Sequence, residues 1–449
     1  MQSVPRVANP RRKSATLLQV CILLSAGSAA QGATYTAANT VNLNTGSVEM
    51  FAFGVGGGQQ VGAGYVGSNS EQAFLWTNSS SSAVNLTPNG YITSIASAVG
   101  PGEQVGSVST DSMGASPLAA LWRNSAQTFV NLTPAQLGAT SSIALATDGA
   151  QEGGFFDSAA GRHAVIWAGT AASAVDLHPT VAGSTFSVVN AVNGGLQGGE
   201  VSVNGFFHAF LWSGTAASAR DLHPTNLPSA TSSQINGVYG NEQVGYAKFN
   251  SVDTAIVWHG SADSAVSLQP AGYGFSQALA TNGSQQVGYA NVVSTTFTHA
   301  MIWSGTAASA VDLHSLIPGA VSSRATAIDV YGNVAGYARL GDQLDHPVTW
   351  LAGDTFVANA GTGAWNTAAR WSGGIPAAGA DVLILQNDAV PRYISYVSPT
   401  PSSIGNLTID AGGFGSVGVI QGQDSLTAVN EFVGFVGTGY YNQSGGTHT

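Results

Sequence analysis

The chain has 449 residues; 8% are charged, 44% are apolar, and 58 are glycine. So little charge beside so much hydrophobicity excludes a disordered chain, and glycine without a G-X-Y period excludes a collagen-like rod. A net charge of −11 repels phosphate backbones and excludes nucleic acid as the expected partner.

The first element is a leader. Arg6, Arg11, Arg12 and Lys13 precede a mostly apolar run from Ala15 to about Ala26, and Ser28-Ala29-Ala30 offers a small-residue cleavage site. This pattern predicts a signal peptide over residues 1–31 and a secreted or surface protein. The run is shorter than the roughly 20 apolar residues of a membrane span, and no later stretch is a better candidate. Cys21, the only cysteine, follows Leu18-Gln19-Val20 without the small residue a lipid-anchor site needs. Cleavage removes it, so the remaining chain has neither a disulfide nor thiolate chemistry and depends on packing. Losing the four leader cations leaves eight basic residues against 23 acidic ones, a net of −15.

The body, residues 32–356, is built from one unit repeated seven times. Close copies are HAVIWAGTAASAVDLHP from His163, HAFLWSGTAASARDLHP from His208 and HAMIWSGTAASAVDLHS from His299. Looser copies start at Gln72, Ala119, Thr254 and His346. Their tryptophans, Trp76, Trp122, Trp167, Trp212, Trp258, Trp303 and Trp350, are spaced by 46, 45, 45, 46, 45 and 47 residues. Such a beat marks a repeat architecture. Each unit reads as four short strands. An alternating first strand ends in a turn pair (Asp148-Gly149, Asn193-Gly194, Asn282-Gly283) suited to a tight hairpin. A second strand of the type Gln243 to Ala247, a third such as His208 to Trp212, and a fourth such as Val175 to Leu177 follow.

The third strand is apolar at consecutive positions, so it must be covered on both faces. Four-stranded sheets of about 45 residues, each sandwiched between copies of itself, predict an all-β, seven-bladed β-propeller. Val41-Asn42-Leu43 matches Val84-Asn85-Leu86 and Val130-Asn131-Leu132. It therefore predicts a lone fourth strand that completes the last blade and removes the open edges.

These units resemble the extracellular HAF repeats, named for the strand that stands here as His208-Ala209-Phe210-Leu211-Trp212. The resemblance covers roughly residues 40 to 356 and implies a secreted bacterial propeller without defined catalytic residues. Thr254, Gln72 and Ala119 replace the histidine in three units, which argues against an indispensable ligand role.

Residues 357–449 lose the beat. Trp365-Asn366 and Trp371-Ser372-Gly373-Gly374-Ile375-Pro376 open a new, Gly-rich β pattern, with Asp381 to Leu385 and Ile404 to Ile409 as strands. The segment resembles the opening of autotransporter-associated β-strand repeats, which implies rungs of an incomplete β-helix, with Tyr440 to Thr449 as part of a further rung.

Chemistry is sparse. Asp176-Leu177-His178, Asp221-Leu222-His223 and Asp312-Leu313-His314 pair an acid with an imidazole, and weak metal binding is one reading of each. Their place on outermost strands of different blades separates them by tens of ångströms, so polar strand ends are the expectation. His163, His208 and His299 beside the apolar runs read as hydrogen-bonded structural groups. No nucleophile elbow, zincin helix, EF-hand or Walker loop is present. Channel candidates are Asp148, Arg324 and Asp329. The expectation is therefore no catalytic, cofactor or metal residue, and a non-catalytic binding propeller whose partner is a cell-surface or extracellular polysaccharide or protein. The alternative is a propeller glycoside hydrolase or lyase with acids at the central channel.

Overall fold

A computed structural model describes residues 40–44, 49–66, 70–181 and 183–352, together with Tyr35 and, with short gaps, residues 354–449. The expected leader, residues 1–31, lies outside the described residues.

Seven four-stranded antiparallel sheets follow one another, at residues 50–85, 93–131, 141–176, 187–221, 230–267, 273–312 and 322–350. The seventh is completed by Thr40–Asn42, which pairs antiparallel with Asp345–Trp350. Strands one to four run from the axis outward. The protein is a seven-bladed β-propeller whose ring is closed by its own N-terminal strand, as the Val41-Asn42-Leu43 match predicts.

The repeated tryptophan fills the gap to the preceding blade. Trp167 packs with Ala119, Leu121 and Leu132 of blade 2, and Trp258 with Ala209, Leu211 and Leu222 of blade 4. All seven indoles are at most 1% exposed. Burying 150–250 Å² of aromatic surface contributes about 4–6 kcal/mol at each gap, before ordering entropy is subtracted. At the closing gap Trp76 meets Leu43, Met50 and Phe74, with Leu43 in the niche Leu86 and Leu132 fill elsewhere.

A polar clasp accompanies the apolar one. The N–H of Ala164 donates to Ser187 Oγ of the next blade (2.9 Å), and His178 Nδ1 lies 2.8 Å from the same oxygen. Equivalent serines, Ser94, Ser142, Ser233, Ser276 and Ser323, take the corresponding N–H in five further gaps. Only the closing gap, with Met50 in that place, is sealed by apolar contact instead.

The C-terminal sheets begin at Asp354–Thr355, three residues before the expected start at 357, because this strand pairs in parallel with Val382–Gln386. From there strands alternate between two parallel sheets, one of five strands and one of four. Trp365, Trp371, Ile384, Ile394, Tyr396, Leu407 and Val419 fill the space between them. Trp371 Nε1 donates to Trp365 O (2.7 Å), so the two tryptophans of the opening motif are core residues. Leu383 and Leu385 pack on Ala352 and Tyr331, and Tyr331 Oη donates to Asp410 Oδ2 (2.9 Å), which fastens this segment to blade 7.

Candidate functional site

The axial channel is shaped by a bulge. In every blade the pairing of strands one and two slips by one residue at the same place, leaving Phe53, Ser97, Leu145, Asn190, Asn236, Leu279 and Thr326 unpaired. A bulge bends the strand and re-aims one side chain; these seven residues are half-buried around the axis. Asn190 Nδ2, Asn236 Nδ2 and Thr326 Oγ1 donate to a carbonyl of the next blade's first strand (2.9, 2.9 and 2.8 Å). The bend presses a first-strand carbonyl onto the second strand, at Gly62, Gly106, Gly154, Gly199, Gly245, Gly288 and Gly336. A Cβ at any of these would collide with that oxygen, which is why the repeat keeps glycine there.

At the mouth formed by the hairpins between strands one and two lies a cavity of about 290 Å³, lined by Asp148 and Asp329 among others. Both acids are committed to backbone. Asp148 accepts the N–H groups of Ala150 and Gln151 through Oδ1, and that of Gly194 on the next blade through Oδ2. Asp329 accepts those of Tyr331 and Asn333, and burial pushes its pKa up to about 6 against the lowering effect of these bonds. Arg324 is the third residue of the strand Ser322–Ile328, which Asp329 directly follows, so the two are five residues and about 16 Å apart along the chain. Of the three channel candidates, Asp148 and Asp329 share one mouth and Arg324 stands apart.

The opposite mouth, formed by the hairpins between strands two and three, breaks the seven-fold symmetry. The residue after each repeated glycine is Phe155, Glu200, Tyr246, Tyr289 or Tyr337 in blades 3 to 7, of which Tyr289 and Tyr337 reach the following blade. Tyr337 meets Phe51 edge-on at 5.1 Å, and Tyr289 lies under the Arg324 guanidinium at 4.3 Å. Blades 1 and 2 carry Ala63 and Ser107 instead. Beside Ser107 opens a cavity of about 590 Å³, a size typical of ligand sites. Its lining includes the hydroxyls of Thr93, Ser107, Ser109 and Ser112, the phenol of Tyr65, the apolar Ile95 and Ile143, and one carboxyl, Glu71.

The pKa of Glu71 is raised, by burial first and then by the charge of Glu49. The rim is the connection 110–117, ordered by Asp111, whose Oδ1 accepts the N–H of Met113 (2.7 Å), and by Ser109 Oγ, which donates to Ala115 O (2.7 Å). Exposed Tyr65, Met113, Phe206, Phe207, Val252 and Phe297 sit on or beside hairpins of this same face.

Glu200 is pushed up to about 7 by burial, with only the charge of Arg162 opposing. That guanidinium is already bidentate to Asp157 (2.8 and 3.1 Å). Glu71, Ser107 and Glu200 escape a reading of the repeat consensus. For Ser107 and Glu200 the signal is the single column after the repeated glycine, where volume and charge change from blade to blade; Glu71 lies on the third strand of blade 1, outside that column.

The histidines of the DLH stretches are clasps. His163 Nδ1 bonds Asp176 Oδ2 (2.8 Å), its ring stacks on His178 at 4.1 Å, and Asp176 Oδ1 accepts the His178 N–H. His208, Asp221 and His223 repeat this arrangement, as do His299, Asp312 and His314. In blade 5 Gln269 replaces the second histidine and still bonds Ser276 Oγ (2.7 Å); in blade 1 Thr87 bonds Ser94 Oγ (2.8 Å). An interchangeable His, Gln or Thr is a structural fastener. Among the described residues no three His, Cys, Asp or Glu side chains gather as metal ligands.

No protein-family model matches the chain, and no curated protein matches it in sequence. Solved structures do align with it. A puromycin hydrolase superposes with a TM-score of 0.47 and 11% identity over 69% of this chain; the chain spans 53% of that protein. The β-propeller domain of the Trilobed protease from Pyrococcus furiosus gives 0.42 and 9% over 68% of this chain and 95% of the domain. An oligogalacturonate lyase from Vibrio parahaemolyticus gives 0.45 and 9% over 69% of this chain and 92% of its own. At such identities the likeness concerns the propeller fold alone.

Proposed function

We propose that this chain is a secreted, non-catalytic propeller of the bacterial cell surface, of the HAF-repeat kind, that binds polysaccharide on the face carrying the second hairpins. The basic leader with its apolar run supports export. Among the described residues no helix is long and apolar enough to cross a membrane. The observation that carries the reading is the cavity beside Ser107, with its five Ser and Thr residues, one phenol and one carboxyl. Hydroxyls in number, held on strands and on the ordered rim that carries Ser112, match a ligand that is itself a display of hydroxyls, and the exposed apolar residues around them mark an interaction surface. Glu71 is the single acid of the lining, whereas glycosidic hydrolysis by a carboxyl pair needs two facing one sugar. Asp148 and Asp329, the channel acids, are occupied at the other mouth. The reading is therefore of a binding protein.

The test is Ser107→Phe, which installs the ring that blade 3 carries as Phe155. On a glycan array, and by calorimetry with the best glycan, the variant is expected to bind at least tenfold more weakly, a loss of about 1.4 kcal/mol, with an unchanged melting temperature. Full retention of binding would sink the assignment of this cavity, and glycan turnover by the unaltered protein would sink the non-catalytic reading.

A further inference from the structure

The Lys and Arg side chains other than Arg324 described on the face that bears the cavity are paired with carboxylates. Arg162 is bidentate to Asp157, Lys248 lies 3.5 Å from Asp253, and Arg339 bridges Asp345 (2.7 Å) and Glu49 (3.2 Å). Arg324 is the exception. It stands on the first strand of blade 7, where the other six blades place Phe51, Ile95, Ile143, Val188, Gln234 and Gln277, so it is the only charge in that ring. Its guanidinium is half-buried and lies flat on Tyr289, 4.3 Å from the ring centre, with Nε 3.5 Å from Thr298 Oγ1. A further bond reaches the Tyr337 hydroxyl and helps hold that phenol's pKa down against burial. Among the described residues no carboxylate pairs with it. In a chain with 23 acidic residues against 12 basic ones, a half-buried guanidinium at the axis without an acid is an expensive arrangement.

We propose that Arg324 is a binding residue for a carboxylate, and that the polysaccharide taken by this face is acidic, a uronate polymer. This inference rests on the glycan-binding reading above. Stacking on Tyr289 and the bonds to Thr298 and Tyr337 fix the plane of the fork and leave N–H donors free. A planar fork of this kind accepts a carboxylate through two parallel bonds. Beside it the amides of Gln234 and Gln277 are held in place. Tyr246 Oη donates to Gln234 Oε1 (3.0 Å), Tyr289 Oη to Gln277 Oε1 (2.7 Å), and Gln277 Nε2 to Asp253 Oδ2 (2.9 Å). The result is a pre-formed cationic spot in a ring of polar groups, suited to one carboxylate with hydroxyls around it.

The experiment is calorimetry on the purified protein with three probes: a mannuronate trisaccharide, its methyl ester, and triglutamate. The ester keeps the sugar and removes the charge. The acid is expected to bind at least tenfold more tightly than the ester, about the discrimination of one desolvated charged pair. Arg324→Gln is expected to weaken the acid at least tenfold and so abolish that preference, and Arg324→Lys to restore part of it. The acid-to-ester ratio on the unaltered protein needs no variant, so the test survives a folding defect. Equal binding of acid and ester, or a preference that persists in Arg324→Gln, overturns the inference and leaves the glycan-binding reading standing. Triglutamate binding as tightly as the uronate overturns it in favour of an acidic peptide. Failure to bind the probes together with silence on the glycan array overturns both.

Discussion

Replacing Glu200 with glutamine is expected to stabilise the protein in a pH-dependent way. Glu200 takes the place that Tyr246, Tyr289 and Tyr337 hold in later blades, and it brings a carboxyl into a wedge otherwise filled by rings. Burial raises its pKa from 4.5 to about 7, and Arg162, spent on Asp157, offsets little of this. The unfolded chain ionises Glu200 near pH 4.5, whereas the folded chain retains the proton up to about pH 7. The folded state is therefore favoured below 4.5, loses that advantage as the pH rises toward 7, and above 7 holds a carboxylate it disfavours. Glutamine has nearly the same shape and never ionises.

The interval from 4.5 to about 7, at about 1.4 kcal/mol per pH unit, caps the gain at about 3 kcal/mol. Glu200 is partly open to solvent, and screening reduces that to about 1–2 kcal/mol. In a protein of this size the corresponding rise in melting temperature is about 1–3 °C. Urea unfolding at pH 8 and at pH 4.5 measures it: the variant should lead clearly at the first and not at the second. An equal lead at both pH values, or none at pH 8, refutes the assignment of the penalty to a buried charge.

Leu43→Ala is expected to cost about 2–5 kcal/mol in urea unfolding, the range for an emptied core leucine, and about as much as Leu132→Ala, because both seat a tryptophan of the following blade. A much smaller cost at Leu43 would mean that the ring is not held shut there. The pKa values of His178, His223 and His314 are lowered, by burial first and then by the stacked histidine. The unfolded chain takes up protons below about pH 6.5 before the folded chain does, so these clasps lose stability as the pH falls. The triple variant His178→Gln, His223→Gln, His314→Gln, which copies Gln269 of blade 5, should lose less stability between pH 7 and pH 5 than the unaltered protein; parallel pH curves would exclude the clasps as the acid-sensitive element.

The legible part of this molecule is what the seven units share. Trp76 to Trp350 recur because each must fill the same gap, and Val41-Asn42-Leu43 recurs because the seventh blade needs the same outer strand. What the repeat shares by geometry was harder to see. The repeated glycine in Gln243 to Ala247 is visible as a residue, but its cause, a carbonyl pushed inward by a bulge on the partner strand, exists only once two strands are paired. Ser187 and its equivalents read as ordinary alternating polar residues until the next blade brings an N–H to them.

The candidate site was hidden for a different reason. A repeat advertises its common features, whereas a binding site on a ring of equivalent blades is made where one copy departs from the others. Ser107 for an aromatic wedge opens a cavity, and Arg324 for an amide or an aliphatic puts an unpaired charge at the axis. Neither departure disturbs the tryptophan beat, and neither would be favoured by packing alone: the first gives up buried area, the second desolvates a cation. Both losses lie on the one face, and the proposed ligand is what would offset them.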